Sequence, residues 1–162
     1  MEGIPIPVKI LLLNRQRALA VRPAAFRQLA RALAGRAFPP AERPAPFGAL
    51  TVVLTDDAAM PAYKAGCFGV RAQTDVVAQA YEAVPGVSAA TAELVLNAER
   101  AQIEGRRRAG GPARELALYL AHGLDHLGGR DDDTPARRRA MRRRETAWLD
   151  DDPAAYRGIL FP

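Results

Sequence analysis

The sequence is poor in the residues that build disulfide frameworks and in the long apolar runs that cross membranes. Its 162 residues contain one cysteine, Cys67, which excludes an intrachain disulfide and a multi-cysteine zinc site. No apolar run approaches the roughly 20 residues of a membrane-spanning helix, and the run at residues 8–13 is interrupted by Lys9. The N-terminus lacks the charged start and small-residue cleavage site of a signal peptide. We therefore expect a cytoplasmic protein with no membrane partner.

Lysine is also scarce, although the chain is basic. The 23 basic residues exceed the 18 acidic ones, giving a formal net charge of +5, and all the basic residues except Lys9 and Lys64 are arginines. The planar arginine fork binds phosphate through two hydrogen bonds, which suggests a nucleic-acid partner. A genome rich in G and C enriches arginine and alanine together, and from composition alone we favour that explanation.

The order of apolar runs and turn residues predicts an α/β (α+β) fold in one domain over residues 1–162. Hydrophobic residues make up 49% of the chain and charged residues 25%, which is typical of globular proteins. We expect a small mixed four-stranded sheet covered by about five helices, with a proline-rich connector at 38–48 and an irregular C-terminal tail from 150. The predicted strands are 8–14 (buried), 49–55, 74–78 and 93–97. The helices that can be located in the sequence begin at Pro23, Ala58, Pro112 and near Pro135.

Both histidines of the chain lie on one predicted helix. His122 and His126 are four residues apart, so their rings lie on the same face and can share a metal. The glycines at 128–129 end the helix, and the aspartates at 131–133 follow at once. Two imidazoles and one carboxylate form a ligand set suited to zinc, with a fourth position open for water. Because Gly123 follows the first histidine, the glutamate of the HExxH metalloprotease motif is missing.

Residues 122–132, HGLDHLGGRDD, resemble the YbeY signature H-G-x-L-H-L-x-G-Y-D-H. The resemblance extends from residue 49 to 145. It includes a T-D-V strand at 74–76 and an E-L-V strand at 93–95, where Ala92 replaces a glycine. It also includes the acidic Glu115 at the start of the histidine-bearing helix, and an M-x-x-x-E pair formed by Met141 and Glu145. The matched single residues are His122, Gly123, His126, Leu127, Gly129, Asp131, Glu115, Met141 and Glu145. YbeY proteins are metal-dependent bacterial endoribonucleases that mature ribosomal RNA, so the resemblance implies a YbeY-like domain with a zincin-like metal helix.

The resemblance implies a metal site formed by His122, His126 and Asp132. The third ligand of the family is usually a histidine, and Asp132 stands at that position. A carboxylate is a competent zinc ligand with a harder character, so we expect one Zn²⁺ ion or another divalent metal. Asp131 or Asp133 would replace Asp132 if the loop shifts by one residue.

Two further departures concern catalysis and RNA binding. Asp125 replaces a leucine of the signature; it would orient a ligand or act as a base beside the metal-bound water, although we favour a solvated surface carboxylate. Phe68 stands where many family members have an arginine that serves RNA. Lys64 or Arg71 would compensate, although we favour the interpretation of each as a surface cation.

A very basic helix follows the metal loop, with arginines at 137–139 and 142–144. Beside a metal cleft, Arg138 and Arg142 would bind a phosphate backbone in a salt-dependent manner. A solvated charged face is the competing interpretation, and the two are held equal. The arginines at 106–108 are interpreted as loop solvation.

Together these features predict a metal-dependent, single-strand-specific endoribonuclease. The resemblance implies 16S rRNA 3′-end processing and ribosome maturation, with ribosomal RNA and the ribosome or its proteins as partners. One alternative is a non-catalytic ribosome-assembly factor that binds RNA. Another is a metal-dependent hydrolase of a different substrate, such as a peptide.

Overall fold

A computed structural model of the chain describes residues 7–162. Within that range the strands form one four-stranded mixed sheet in the order β1-β2-β4-β3. The neighbours β1, β2 and β4 are parallel, and β3 runs antiparallel to β4. The strands are β1 (Lys9–Asn14), β2 (Ala49–Thr55), β3 (Val76–Tyr81) and β4 (Thr91–Asn97). The predicted α/β class is confirmed.

Six helices, where about five were expected, pack around this sheet in residues 7–162. They are α1 (Pro23–Ala37), α2 (Met60–Phe68), α3 (Ala98–Gly105), α4 (Gly111–Leu127), α5 (Pro135–Asp151) and α6 (Pro153–Arg157). The helix α3 was not located from the sequence; it begins where the side chain of Asn97 accepts a hydrogen bond from the main-chain N–H of Arg100. None of the described helices has both the length and the apolar character needed to cross a membrane.

The central helix α4 packs closely on the sheet and thereby positions the histidines. Leu116, Leu120 and Leu124 are fully buried along one side of α4, and each burial contributes about 1.5–3 kcal/mol. Gly123 lies against β4, where a Cβ atom would approach a methyl carbon of Leu94 to 2.8 Å. A glycine beside His122 therefore lets the helix lie this close to the sheet.

Two expectations about the ends of the chain are wrong. The first strand is not buried: β1 pairs only with β2 at the sheet edge, so Leu11 and Leu13 remain 42% and 41% exposed. The C-terminal tail is not irregular, because α6 and the following residues pack into the core. Ile159 is fully buried, and Leu160 forms a β-bridge with Val21.

The third strand begins later than predicted. It was expected at 74–78, but β3 spans Val76–Tyr81. Thr74 precedes it and donates its hydroxyl hydrogen to the carbonyl of Val76. This local side-chain bond competes with strand pairing, which explains why the threonine does not open the strand.

Candidate metal centre

Three side-chain atoms converge where α4 meets the loop that leads to α5. The Nε2 atoms of His122 and His126 are 3.0 Å apart, and each lies 3.7 Å from Oδ2 of Asp132. The helical spacing places one ring a turn above the other. The loop turns back at Gly129, whose φ of +83° favours glycine. This reversal brings Asp132 over the two rings.

The opposite nitrogen of each imidazole has its own partner. Nδ1 of His122 lies 2.6 Å from the carboxylate of buried Glu145, and Nδ1 of His126 lies 3.1 Å from the main-chain oxygen of Arg130. Because a carbonyl only accepts, Nδ1 of His126 carries the hydrogen. This arrangement is typical of metal-binding histidines, whose second nitrogen donates to a carboxylate or a carbonyl.

The donor set fits a divalent metal. With both Nδ1 atoms protonated, the two Nε2 lone pairs face each other across 3.0 Å, an arrangement that is repulsive unless a cation or a proton lies between them. Two imidazole nitrogens and one carboxylate oxygen match three-ligand zinc sites, which keep a fourth position open. His122, His126 and Asp132 would hold such an ion and together form a candidate metal-binding group.

The protonation of His122 competes with metal binding. Burial lowers the pKa of His122, but its hydrogen bond to Glu145 and the charges of Glu145, Asp132 and Asp125 outweigh burial and leave the pKa raised. The proton that the ring gains on Nε2 occupies the position of the metal ion. Metal binding would displace this proton, so it should weaken as the pH falls.

Of the three aspartates in the loop, Asp132 is the one that joins the histidines. Asp133 instead forms an ion pair with Arg137, at 2.8 Å. The backbone oxygen of Asp132 also accepts a hydrogen bond from Arg138 at 3.0 Å, which ties the loop to α5.

Asp125 is not a solvated surface carboxylate. It is fully buried and bonded by two guanidinium groups, those of Arg130 and Arg144. Its side chain lies outside the group of three metal-binding side chains. The burial of Asp125 could not be predicted from its neighbours, because its partner Arg144 on α5 lies 19 residues away in the sequence.

A cleft of about 650 Å³ adjoins the metal-binding group, and arginines of α5 form one side of it. Arg138 and Arg142 both line the cleft, whereas Lys64 and Arg71 are not among its described lining residues. The full lining comprises Asp75, Val76, Arg108, Glu115, Leu118, Tyr119, His122, Asp132, Arg138, Arg139, Arg142, Arg143 and Glu145.

Sequence reasoning missed part of this cleft. Arg108 was interpreted as loop solvation, but it forms an ion pair at 2.7 Å with Glu115, which is buried. Tyr119 lines the same cleft, and burial together with nearby acidic groups raises its pKa. The spacing of Glu115, Tyr119 and His122, at i, i+4 and i+7, was the available signal for a shared helix face.

The chain is similar to known proteins across this site. A family model described as Endoribonuclease YbeY matches residues 12–151. The Endoribonuclease YbeY of Anaeromyxobacter sp. (strain Fw109-5) is 32% identical over 96 residues, which cover 59% of this chain and 50% of the relative. That of Chloroflexus aggregans (strain MD-66 / DSM 9485) is 29% identical over 122 residues, covering 70% and 80%.

A further Endoribonuclease YbeY, from Rhodopirellula baltica (strain DSM 10527 / NCIMB 13988 / SH1), is 42% identical over 77 residues, covering 46% of this chain and 38% of the relative. The chain thus spans half or less of several curated relatives that it matches. The solution structure of TM1509 from Thermotoga maritima shares the fold, with a TM-score of 0.55, 16% identity and coverage of 90% and 92%. Because the family model matches residues 12–151, which include β2 to β4, both histidines, Asp132 and Glu145, the chain belongs to the YbeY family.

Proposed function

We propose that this protein is a metal-dependent endoribonuclease that cleaves single-stranded ribosomal RNA. The observation that carries the proposal is the convergence of His122, His126 and Asp132 beside an arginine-lined cleft. A metal ligand set and a phosphate-binding surface are the two parts that metal-assisted phosphodiester hydrolysis requires. The names of the relatives, Endoribonuclease YbeY, support the same activity.

The residues around the cleft divide into two roles. When bound by His122, His126 and Asp132, a divalent ion such as Zn²⁺ supplies Lewis acidity next to the scissile phosphodiester. Glu145 and the carbonyl of Arg130 hold the two rings so that their Nε2 atoms lie 3.0 Å apart and are available as ligands. Arginines such as Arg138 and Arg142 bind the phosphates that flank the scissile group.

Asp125 does not act as the base in this proposal. Both of its carboxylate oxygens are bonded to guanidinium groups, so neither oxygen is open to a reacting water. Lys64 and Arg71 have no direct role in it either, because the described cleft is lined by other residues.

An unpaired strand suits the cleft better than a duplex. The cleft is about 650 Å³ and combines arginines on α5 with the apolar Val76 and Leu118. Splayed single-stranded nucleotides present both phosphates and base faces to such a surface. The family resemblance further supports 16S rRNA 3′-end processing on the ribosome, in the cytoplasm, by one domain that spans the chain.

A non-catalytic ribosome-assembly factor is the second candidate. Phe68, where many family members have an arginine, is 53% exposed at the end of α2. The loss of that arginine and the change of the third ligand to Asp132 both favour RNA binding without turnover. A peptidase is less well supported, because the HExxH glutamate is replaced by Gly123.

Cleavage of end-labelled RNA separates these functions. Single-stranded and duplex RNA of the same sequence would be incubated with wild-type protein, with chelator-treated protein and with His126→Ala purified identically. We expect cleavage of the single strand by wild type alone, lost with chelator and restored by zinc. Cleavage that persists in the variant would indicate a contaminating nuclease, and tight RNA binding by metal-loaded protein without cleavage would establish the assembly factor.

A further inference from the structure

A charge cluster centred on the buried carboxylate of Asp125 lies next to the histidines in the sequence. Asp125, one residue before His126, is fully buried. Its Oδ1 and Oδ2 atoms accept hydrogen bonds of 3.0 Å from Nε and Nη2 of Arg144, and Oδ1 accepts a third, also of 3.0 Å, from Nη1 of Arg130. Both oxygens of this costly buried carboxylate are therefore satisfied.

Each arginine of the cluster is linked to the group that accepts a hydrogen bond from Nδ1 of one histidine. Arg130 binds Asp125 through its side chain, while its main-chain oxygen lies 3.1 Å from Nδ1 of His126. Arg144 directly precedes Glu145, whose carboxylate lies 2.6 Å from Nδ1 of His122. One carboxylate thus holds both the loop after α4 and the facing turn of α5.

We propose that Asp125 is the positioning residue of the metal centre, acting through Arg130 and Arg144 to fix the orientation and tautomer of both imidazole rings. This inference rests on the metal site of the proposed function. Asp125 is not a catalytic residue, since it touches neither the converging Nε2 atoms nor Oδ2 of Asp132. Its effect is to keep the two hydrogen-bond acceptors in place, so that both Nε2 lone pairs stay directed at one point.

General core stabilisation does not account for a carboxylate at this position. Buried ion pairs are replaced by apolar residues at little cost to stability in many proteins. The YbeY signature has leucine here, so the fold itself does not require the charge. In this chain the charge comes with two arginine partners that also hold the histidine acceptors, and orientation explains that combination.

The zinc affinity of Asp125→Asn tests the proposal without any RNA. Competition with a chromophoric zinc chelator should show about 10–100-fold weaker binding, the usual loss when an outer partner of a metal ligand is removed. Nitrogen–proton correlation spectra of the imidazoles should show one tautomer of His126 in wild type and a mixture in the variant. A role in stability alone would change neither measurement in protein that is still folded.

Asp57→Asn is the matched control. Asp57 also bonds an arginine, at 2.8 Å from Arg100, and accepts from buried Asn97, but none of these residues belongs to the metal-binding group. We expect it to bind zinc as wild type does. Equal losses of affinity in both variants would show a general effect of destabilisation and overturn the proposal.

Arg130→Ala serves if Asp125→Asn does not fold. The variant keeps the main-chain oxygen that accepts from His126 but removes its tether to Asp125, so the tautomer of His126 should become mixed while that of His122 is kept. Zinc binding by Arg130→Ala as tight as wild type, with unchanged tautomers, would overturn the proposal.

Failure of wild type to bind zinc would overturn the metal site and this inference together. The expected zinc affinities without RNA cleavage would overturn only the proposed nuclease activity.

Discussion

Two concave regions of similar size differ in what their side chains offer a ligand. The cleft beside the metal-binding group has a volume of about 650 Å³. A groove between β1, α1 and the proline-rich connector is larger, about 750 Å³, and is lined mostly by apolar residues such as Ile10, Ala34 and Phe47, with Arg31 at its side. Size alone does not distinguish the region that contains the two histidines from the groove.

The difference lies in polar groups that point at one place. In the cleft, two imidazole nitrogens and one carboxylate oxygen lie within 4.8 Å of one another. In the groove, Phe38 and Phe47 pack edge to face with ring centroids 5.3 Å apart, a contact typical of a protein core. The convergence of polar groups therefore favours the cleft over the groove for the proposed chemistry.

His126→Ala should have the largest effect on the cleft. The variant loses one of two nitrogen ligands, and the remaining donors, His122 and Asp132, cannot complete a zinc site. We expect no stoichiometric zinc after equilibrium dialysis and no RNA cleavage. One tightly bound zinc in the variant would show that the ion binds elsewhere.

Glu145→Gln should weaken the metal site without removing a ligand. The glutamine keeps the shape of Glu145 but loses the charge that holds His122, so zinc affinity should fall by about 10–100-fold. Competition titration measures the loss. Asp151→Asn is the matched control on α5, because Asp151 pairs with Arg36 at the surface; the same loss in both variants would contradict a specific role for Glu145.

Arg142→Ala should have a smaller effect, confined to RNA binding. If Arg142 contacts one phosphate of a single strand, the negative slope of log affinity against log salt concentration should become shallower by about 0.7 in the variant. Arg31→Ala removes the arginine of the groove instead and should leave that slope unchanged. Identical slopes for the two variants would mean that Arg142 does not contact the phosphate backbone.

Phe47→Ala should have the smallest effect on the metal centre although it opens the groove. Truncating this buried ring should lower the free energy of unfolding by about 3–5 kcal/mol, measured by urea denaturation. Zinc affinity of the folded variant should match wild type. A parallel loss of zinc affinity would contradict the separation of the two regions.

Local sequence signals predicted the parts of the molecule that depend on neighbours along the chain. The strand at 49–55 agrees with β2 to the residue. The predicted helix start near Pro135 is confirmed, and the hydroxyl of Thr134 caps α5 by accepting from the main-chain N–H of Arg137 at 3.1 Å. The i, i+4 spacing of His122 and His126 likewise follows from helix geometry alone.

Features set by distant parts of the chain could not be predicted in this way. The apolar sequence of β1 does not reveal that it has a neighbour on one side only. The burial of Asp125 depends on Arg144, which the packing of α5 on α4 brings within 3.0 Å. The orientation of Asp132 depends on the turn at Gly129, and spacing alone left its neighbours as equal candidates.

X-ray absorption at the zinc edge tests the central claim most directly. Protein loaded with one equivalent of zinc should show two imidazole nitrogens at about 2.0–2.1 Å, with oxygen as the remaining ligands. His126→Ala should lose one of the two imidazoles. A spectrum with no imidazole scattering, or with sulfur from Cys67 in the first shell, would contradict a metal centre built by His122, His126 and Asp132.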